Sequence, residues 1–247
     1  GVQAMVGHSA RLLRGARMMK TAIDSGELGT LSFMESNFSN ERALELTPDT
    51  WRWYRDKAPG GPLSQLATHL FDSLYMLGGP VEEVSSVASK LSPAGAEVDD
   101  QSMTTLRFKS GALGYVGSCW TSPGIYFIRV YGQKGLMHFE LDFGSWDDPD
   151  RVHETSTLYI QRGKDCYGKR EVLDMGASNM FMDELDMFAD MCRFGKKVEL
   201  EAANGLVALG IVNAALASIE RKGQSVNLAE VLDAARARVA TEDQASF

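Results

Sequence analysis

Hydrophobic and polar residues alternate along the middle of the chain as they do in half-buried strands. The alternation is clearest in LMHFELDF, residues 136–143. One set of alternate positions is apolar and consists of Met137, Phe139, Leu141 and Phe143. The other set is polar and consists of His138, Glu140 and Asp142. Related runs lie at residues 30–39, 81–91, 103–111, 112–120, 126–135, 157–163 and 170–175. The turns SGAL and GQKGL between neighbouring runs predict hairpins.

Apolar residues at helical spacing lie on either side of these strands. The first predicted helix begins at residue 16 and ends at Gly26 or Gly29. The other predicted helices cover residues 60–77, 178–194, 201–221 and 228–238. The short apolar run VQAMVG at residues 2–7 predicts a buried strand. Residues 40–59, rich in Trp, Arg and Pro, predict a loop with one short turn.

Helices at both ends and a meander of strands between them indicate an α+β fold. We expect an open, mainly antiparallel β-sheet with helices packed on one face. Tyr126, Ile128 and Val130 share one side of a strand and would not stay bare in water. A subunit partner is the simplest cover for the second face, so the pattern predicts a homodimer or homotetramer formed through the sheet face.

Composition and charge restrict the class of protein. The chain has 247 residues, 44% of them hydrophobic, and a net charge of −8 without a lysine or arginine run, so a nucleic-acid partner is not indicated. Three widely spaced cysteines, Cys119, Cys166 and Cys192, indicate free thiols in a reducing compartment and a cytoplasmic location. The four histidines are scattered, which gives no zinc site, and we find no apolar run that predicts a membrane span.

The stretch GGPLSQLATHLFD, residues 60–72, places polar residues on one side of a predicted helix. At about 100° per residue, Gln65, His69 and Asp72 form one stripe opposite a leucine face. This stripe is either a solvated surface with an incidental histidine or an active-site stripe in which the histidine is a general acid or base. The preceding WRWYRDK, residues 51–57, is either a loop pinned by its tryptophans or a site for a hydroxylated ligand or a carboxylate.

Six segments in the same order resemble the C-terminal, substrate-binding part of the glucose–fructose oxidoreductase, inositol dehydrogenase and rhizopine catabolism (Gfo/Idh/MocA) family. They are VGHSARL with its His-x-x-Arg, AIDSGELGTL, WRWYRDKAPGGPLSQLATHLFDSLYMLGGPVEEV, DDQSMTTLRFKSGALGYVGSCW, IRVYGQKGLMHFE and the closing pair NMFMDELDMFADMCRFGKK and ANGLVALGIVNAALASIERKGQSVNL. The resemblance runs through nearly the whole chain.

The resemblance implies an NAD(P)-dependent oxidoreductase of sugars, cyclitols or related polyols. His69 matches the family's catalytic histidine, and Gln65 falls where many members carry an aspartate. The resemblance also places Trp51, Arg52 and Lys57 near the substrate and Arg11 near the cofactor. Asp72 matches a common family aspartate, which is either a further substrate contact or, as the favoured interpretation, a structural residue. Because an amide supplies no charge, we expect the pKa of His69 to stay near the ordinary value of about 6.5.

The family's nucleotide-binding signature does not occur in this chain. A dinucleotide site needs a strand, a GxGxxG turn and a helix, whereas GALGYVG at residues 111–117 has the wrong spacing and lies in the strand meander. We therefore expect residues 1–25 to be the last strand and connecting helix of a missing nucleotide-binding domain, and residues 26–247 to be the substrate-binding and oligomerisation domain. NAD or NADP would be bound mainly by the missing domain, and this chain alone would be inactive.

Two other classes of function stay open. The chain could be a stand-alone, non-catalytic binding or assembly subunit that has lost the nucleotide domain. It could also be a cofactor-free enzyme, such as an epimerase or hydrolase, that uses His69 alone, with Glu140 or Asp142 as a second acid or base.

Overall fold

A computed structural model describes residues 2–145, 147–163 and 169–245, so the predicted free thiol Cys166 lies outside the described residues. The helices are α1 Arg14–Asp24, α2 Thr68–Gly78, α3 Val152–Thr155, α4 Met180–Phe194, α5 Ala202–Glu220 and α6 Leu228–Ala245. The strands are β1 Leu31–Ser39, β2 Val81–Ser89, β3 Gln101–Phe108, β4 Leu113–Cys119, β5 Ile125–Gly132, β6 Gly135–Leu141, β7 Thr157–Arg162, β8 Glu171–Val172 and β9 Val226–Asn227.

The described strands form one sheet in the order β8-β7-β6-β5-β1-β4-β3-β2-β9. The β1–β4 pair is parallel and the other neighbouring pairs are antiparallel. The predicted α+β class with an open, mainly antiparallel sheet is confirmed. The hairpins β3–β4 and β5–β6 are joined by the two predicted turns.

One face of the sheet packs against the helices. α5 lies along β2, α2 lies over β1 and β4, and α1 lies over β6. The approach of α1 is close, because a Cβ added at Gly15 would lie 2.2 Å from the Phe139 ring. Tyr126, Ile128 and Val130 belong to this main core and are buried against the helices. Our argument that these three side chains need a subunit partner is therefore wrong.

The other face is more polar, yet part of it is buried without a helix. Met137, Phe139 and Leu141 of β6 are buried in the core as predicted, whereas His138 on the opposite side is also buried. Rings of Phe127 and Tyr159 cover His138, with ring centroids 5.7 and 5.1 Å away. The expectation of a solvated polar side holds for Glu140, which is exposed, but it is wrong for His138.

The predicted buried strand at residues 2–7 does not form. Val2 is 94% exposed, and Met5 makes only an isolated bridge with Glu201, next to a hydrogen bond from Val6 N to Leu200 O. An apolar run becomes a buried strand only where a neighbouring strand and a covering layer are available. Here the segment lies beside the start of α5, away from the nine-stranded sheet.

α5 is apolar enough and long enough to cross a membrane, which the sequence reading overlooked. Its mean hydropathy is 1.7 over the 18-residue window. In the fold, Ile211, Ala214 and Ala215 are buried against the sheet and α2. This packing is that of a core helix.

Candidate functional site

The candidate site begins where a glycine turn leads into the helix that carries His69. Gly60 and Gly61 have φ of +72° and +51°, a backbone conformation that favours glycine. A Cβ at Gly61 would lie 2.1 Å from the Asp99 carbonyl oxygen, so a side chain cannot fit there. Pro62 follows, and its carbonyl accepts a hydrogen bond from Ser118 Oγ at 3.1 Å. The start of the helix is therefore fixed by the backbone.

The next turn, Leu63–Ala67, is a π-helix, and α2 continues from Thr68. The prediction of a single α-helix is wrong over this turn, because a π turn is wider than an α turn. The predicted leucine face is buried as expected and consists of Leu63, Leu66, Leu70, Leu74 and Leu77. Gln65 lies within the π turn and His69 one residue after α2 begins, both partly buried. Single π turns are frequent at functional sites.

Asp72, the third member of the stripe, is a buried anion held by Arg11. Arg11 Nε donates to Asp72 Oδ2 at 2.5 Å and Nη2 donates to Oδ1 at 2.7 Å, and the two side chains are 5% and 1% exposed. His8 Nδ1 lies 3.1 Å from Oδ1, within ion-pair distance. Burial alone would raise the pKa of Asp72, but the contacts with His8 and Arg11 outweigh it and lower the pKa.

This geometry corrects two predicted ligand contacts. Arg11 was expected at the cofactor and Asp72 at the substrate, yet both are buried and bind each other in a bidentate pair. With side chains 5% and 1% exposed and their facing edges paired with each other, these two groups are closed to a ligand from solvent. Their pairing instead ties the short 3₁₀ helix Ser9–Leu12 to α2.

His69 lies between an aromatic ring and a second histidine. Its ring centroid is 6.1 Å from that of Phe38 and 6.0 Å from that of His8. Burial lowers the pKa of His69, the charge of His8 lowers it further, and Asp72 opposes both by raising it. The expectation of a pKa near 6.5 is therefore wrong, because the pKa is lowered and the Asp72 carboxylate does not compensate for burial. A neutral imidazole at neutral pH can accept a proton.

This lowered pKa gives a pH prediction. Because the unfolded chain binds a proton at His69 at a higher pH than the folded chain does, His69 contributes stability that is present above pH 6.5 and is lost as pH falls toward the folded pKa. We expect the His69 ring to titrate below 6.5 in an NMR titration of histidine-labelled protein, with His69→Gln identifying the resonance. A midpoint above 6.5 would contradict the burial argument.

The predicted substrate residues of the upstream loop form a separate group. The Arg52 guanidinium lies 4.3 Å from the ring centroid of Trp51, and Lys57 Nζ lies 4.8 Å from that of Tyr54. Trp51 is 43% exposed. Partial burial and the nearby Arg42 lower the pKa of Arg52. The aromatic rings hold the cations, as expected of a loop pinned by its tryptophans. Part of the loop is exposed to solvent, as a ligand site would require, so both interpretations stay open.

A small second core pins this loop to the start of the His69 helix. Its buried members are Ala43, Leu46, Ala58, Leu66, Ala96, Val98 and Trp120, and Trp53 packs against them. Leu66 comes from the π turn and Ala58 from the loop. The loop and the helix that carries His69 are thus held by the same cluster.

Sequence reasoning missed three residues of the site. His8 contacts Asp72 and meets the His69 ring edge-on, Phe38 is a second ring neighbour of His69, and Tyr126 packs edge-on against Phe38 with ring centroids 5.3 Å apart. The His-x-x-Arg spacing was the available signal for His8. The residues Phe38 and Tyr126 carried no signal, since in a strand pattern they are ordinary core positions.

The described residues do not form a cradle for a dinucleotide pyrophosphate. Such a site needs a glycine turn whose backbone amides open toward the ligand at a helix N-terminus. Gly15 in the first turn of α1 is covered by Phe139, and Gly61 ahead of the π turn is against the Asp99 carbonyl. Both glycine-marked helix starts are therefore filled by this chain's own atoms.

Comparisons with known proteins agree with this fold. Residues 16–138 match the model of the GFO/IDH/MocA C-terminal domain. The myo-inositol 2-dehydrogenase of Thermotoga maritima is 28% identical over 242 residues, which cover 92% of this chain and 64% of that protein. The levoglucosan dehydrogenase of Pseudarthrobacter phenanthrenivorans is 27% identical over 164 residues, which cover 56% of this chain and 42% of that protein.

A solved structure from Desulfitobacterium hafniense, provisionally assigned as an NADPH-dependent oxidoreductase, is 36% identical with a TM-score of 0.87, over 94% of this chain and 66% of that one. The chain belongs to the Gfo/Idh/MocA family and carries its C-terminal domain. It spans 64% of the length of the Thermotoga relative.

Proposed function

We propose that this chain is the substrate-binding and catalytic part of an NAD(P)-dependent oxidoreductase that acts on a sugar, cyclitol or related polyol, with His69 as general acid/base. The observation that carries the proposal is His69 itself, a partly buried histidine with a lowered pKa, held at the junction of a π turn and α2. Relatives named as dehydrogenases of an inositol and of levoglucosan support the substrate class.

His69 would take the proton of the reacting hydroxyl during oxidation and return it during reduction. Gln65, four residues earlier in the π turn, would orient the substrate or the imidazole through its amide, without adding charge. Trp51, Arg52 and Lys57 would contact the hydroxyl groups of the substrate from the loop. Arg11 and Asp72 would act as positioning residues, because their buried pair fixes α2 against the preceding segment.

NAD or NADP would accept the hydride and would be bound mainly outside residues 1–247. The closed helix starts at Gly15 and Gly61 support this part of the proposal. We keep the division into residues 1–25, as the end of a nucleotide-binding domain, and residues 26–247, as the substrate-binding domain. On this proposal the chain by itself would be inactive.

A non-catalytic binding or assembly subunit is the second candidate, and Gln65 is the observation that favours it. A family position that often carries a carboxylate is here an amide, which removes one charge from the site. The test is an assay of the full-length protein for NAD⁺ and NADP⁺ reduction with myo-inositol, levoglucosan and a set of aldoses. Substrate-dependent reduction supports the dehydrogenase, whereas binding of these compounds without turnover supports the second candidate.

We also propose a homodimer or homotetramer in the cytoplasm, formed through the sheet face that lacks helices. Apolar cross-strand pairs on this face are exposed, namely Phe33 with Leu113 and Val87 with Met103. Met103→Glu should shift the sedimentation coefficient toward the monomer, because it places a charge in the contact. Leu91→Glu, at an exposed leucine outside the strands, is the control and should leave assembly unchanged.

A further inference from the structure

His8 is a titratable group beside the site that the proposed chemistry does not use. Its side chain is 15% exposed, with Nδ1 3.1 Å from Asp72 Oδ1. Its ring meets that of His69 edge-on, at 6.0 Å between centroids and an interplanar angle of 62°. His8 thus lies between the candidate base and a fixed carboxylate, and it retains some contact with solvent.

Three other residues near His69 in the described ranges are poor proton carriers. Phe38 has no titratable group. Gln65 is an amide and does not titrate near neutral pH. Both oxygens of Asp72 accept hydrogen bonds from Arg11, which favours the charged carboxylate. Its 1% exposure leaves it without contact with solvent.

A second carboxylate faces His8 from α4. Glu184 Oε1 lies 3.1 Å from the position of a Cβ added at Gly7, so it is next to the backbone that leads into His8. Burial raises the pKa of Glu184 while His8 lowers it. The charged and titratable groups around His8 in the described part of the chain are therefore Asp72 from α2, Arg11, His69 and Glu184.

We propose that His8 carries the reaction's proton between His69 and solvent, with Asp72 holding its ring in place. This inference rests on the proposed function. During oxidation a bound nicotinamide would supply the hydride acceptor for the carbinol carbon, while a His69 ring nitrogen would take the O–H proton as the C=O bond forms. His69 then passes that proton through one bridging water to His8, which releases it to solvent. The two rings are too far apart for direct transfer.

The first test compares His8→Ala, His8→Gln and the control His153→Gln in the full-length protein. We expect kcat for polyol oxidation to fall about 10- to 100-fold in both His8 variants, at or below the lower end of the range for a positioned acid/base, because His8 acts one step away from the substrate, while KM stays near that of the wild type. Added imidazole should restore the rate of His8→Ala in proportion to its concentration. Loss of rate without rescue would mean that His8 acts only as structural support.

A second readout does not depend on turnover. Because the charge of His8 lowers the pKa of His69, His8→Gln should move the His69 NMR titration to higher pH, and His153→Gln should not. If the wild type reduces no dinucleotide with any polyol, the proposed function fails and this inference fails with it. If the wild type is active but the His8 variants keep their rate, or His69 titrates as before, only the role of His8 is overturned.

Discussion

Replacing Asp72 by asparagine is expected to lower the free energy of unfolding by about 3–5 kcal/mol, the range for breaking a buried ion pair on one side. The substitution keeps the shape of the side chain but leaves the Arg11 guanidinium, 5% exposed, without its anion. It also removes the partner of His8. Because the folded pKa of Asp72 is lowered, its contribution is present above the unfolded pKa and is lost as pH falls through the folded value.

Urea unfolding at neutral pH measures this effect, and the chain offers a matched control. Arg17 and Glu199 also form an Arg–carboxylate pair, but their side chains are 32% and 34% exposed. Glu199→Gln should cost about 1 kcal/mol or less, as for other exposed pairs. Combining Asp72→Asn with Arg11→Met should recover part of the loss, since the unpaired charge is then removed. Equal costs for Asp72→Asn and Glu199→Gln would contradict the buried pair.

Replacing His69 by alanine in the full-length protein is expected to lower kcat about 10²–10⁴-fold, the usual contribution of a positioned general acid/base. Substrate binding should change far less, because the loop with Trp51 and Arg52 does not depend on the imidazole. Steady-state kinetics with the best substrate measure both values. The loss should appear mainly in kcat.

His153→Ala is the matched control for this substitution. His153 is a partly buried histidine on α3, outside the candidate site, so its removal tests for a general effect of losing an imidazole. Its kcat should stay near that of the wild type. Unchanged turnover in His69→Ala would remove His69 from the mechanism, and equal losses in the two variants would point to a folding defect.

The period of the apolar residues was enough to predict most of the fold. The alternation in β6 and the helical spacing in α1 and α5 depend on local sequence, so they can be recognised without knowledge of the tertiary structure. The failures came from long-range packing. Tyr126 was assigned to an open face because a strand pattern does not say which side the helices cover, and the run at residues 2–7 found no neighbouring strand.

The candidate site was predictable only in part, because it too depends on long-range packing. The family motif located His69, but the π turn changed the geometry that a regular helix predicts for Gln65. The contact between Arg11 and Asp72 joins residues 61 positions apart, and no local sequence pattern predicts it. Both were assigned to ligands on the family resemblance, whereas here they neutralise each other in the interior.

The most direct test of the account is the fate of deuterium from a polyol labelled at the reacting carbinol carbon. The full-length protein would be incubated with the labelled substrate and oxidised NAD or NADP, and the products analysed by mass spectrometry. The account predicts that deuterium appears in the reduced nicotinamide and that His69→Ala slows this transfer. Deuterium lost to water, with product formed in the absence of dinucleotide, would contradict it and indicate a cofactor-free enzyme.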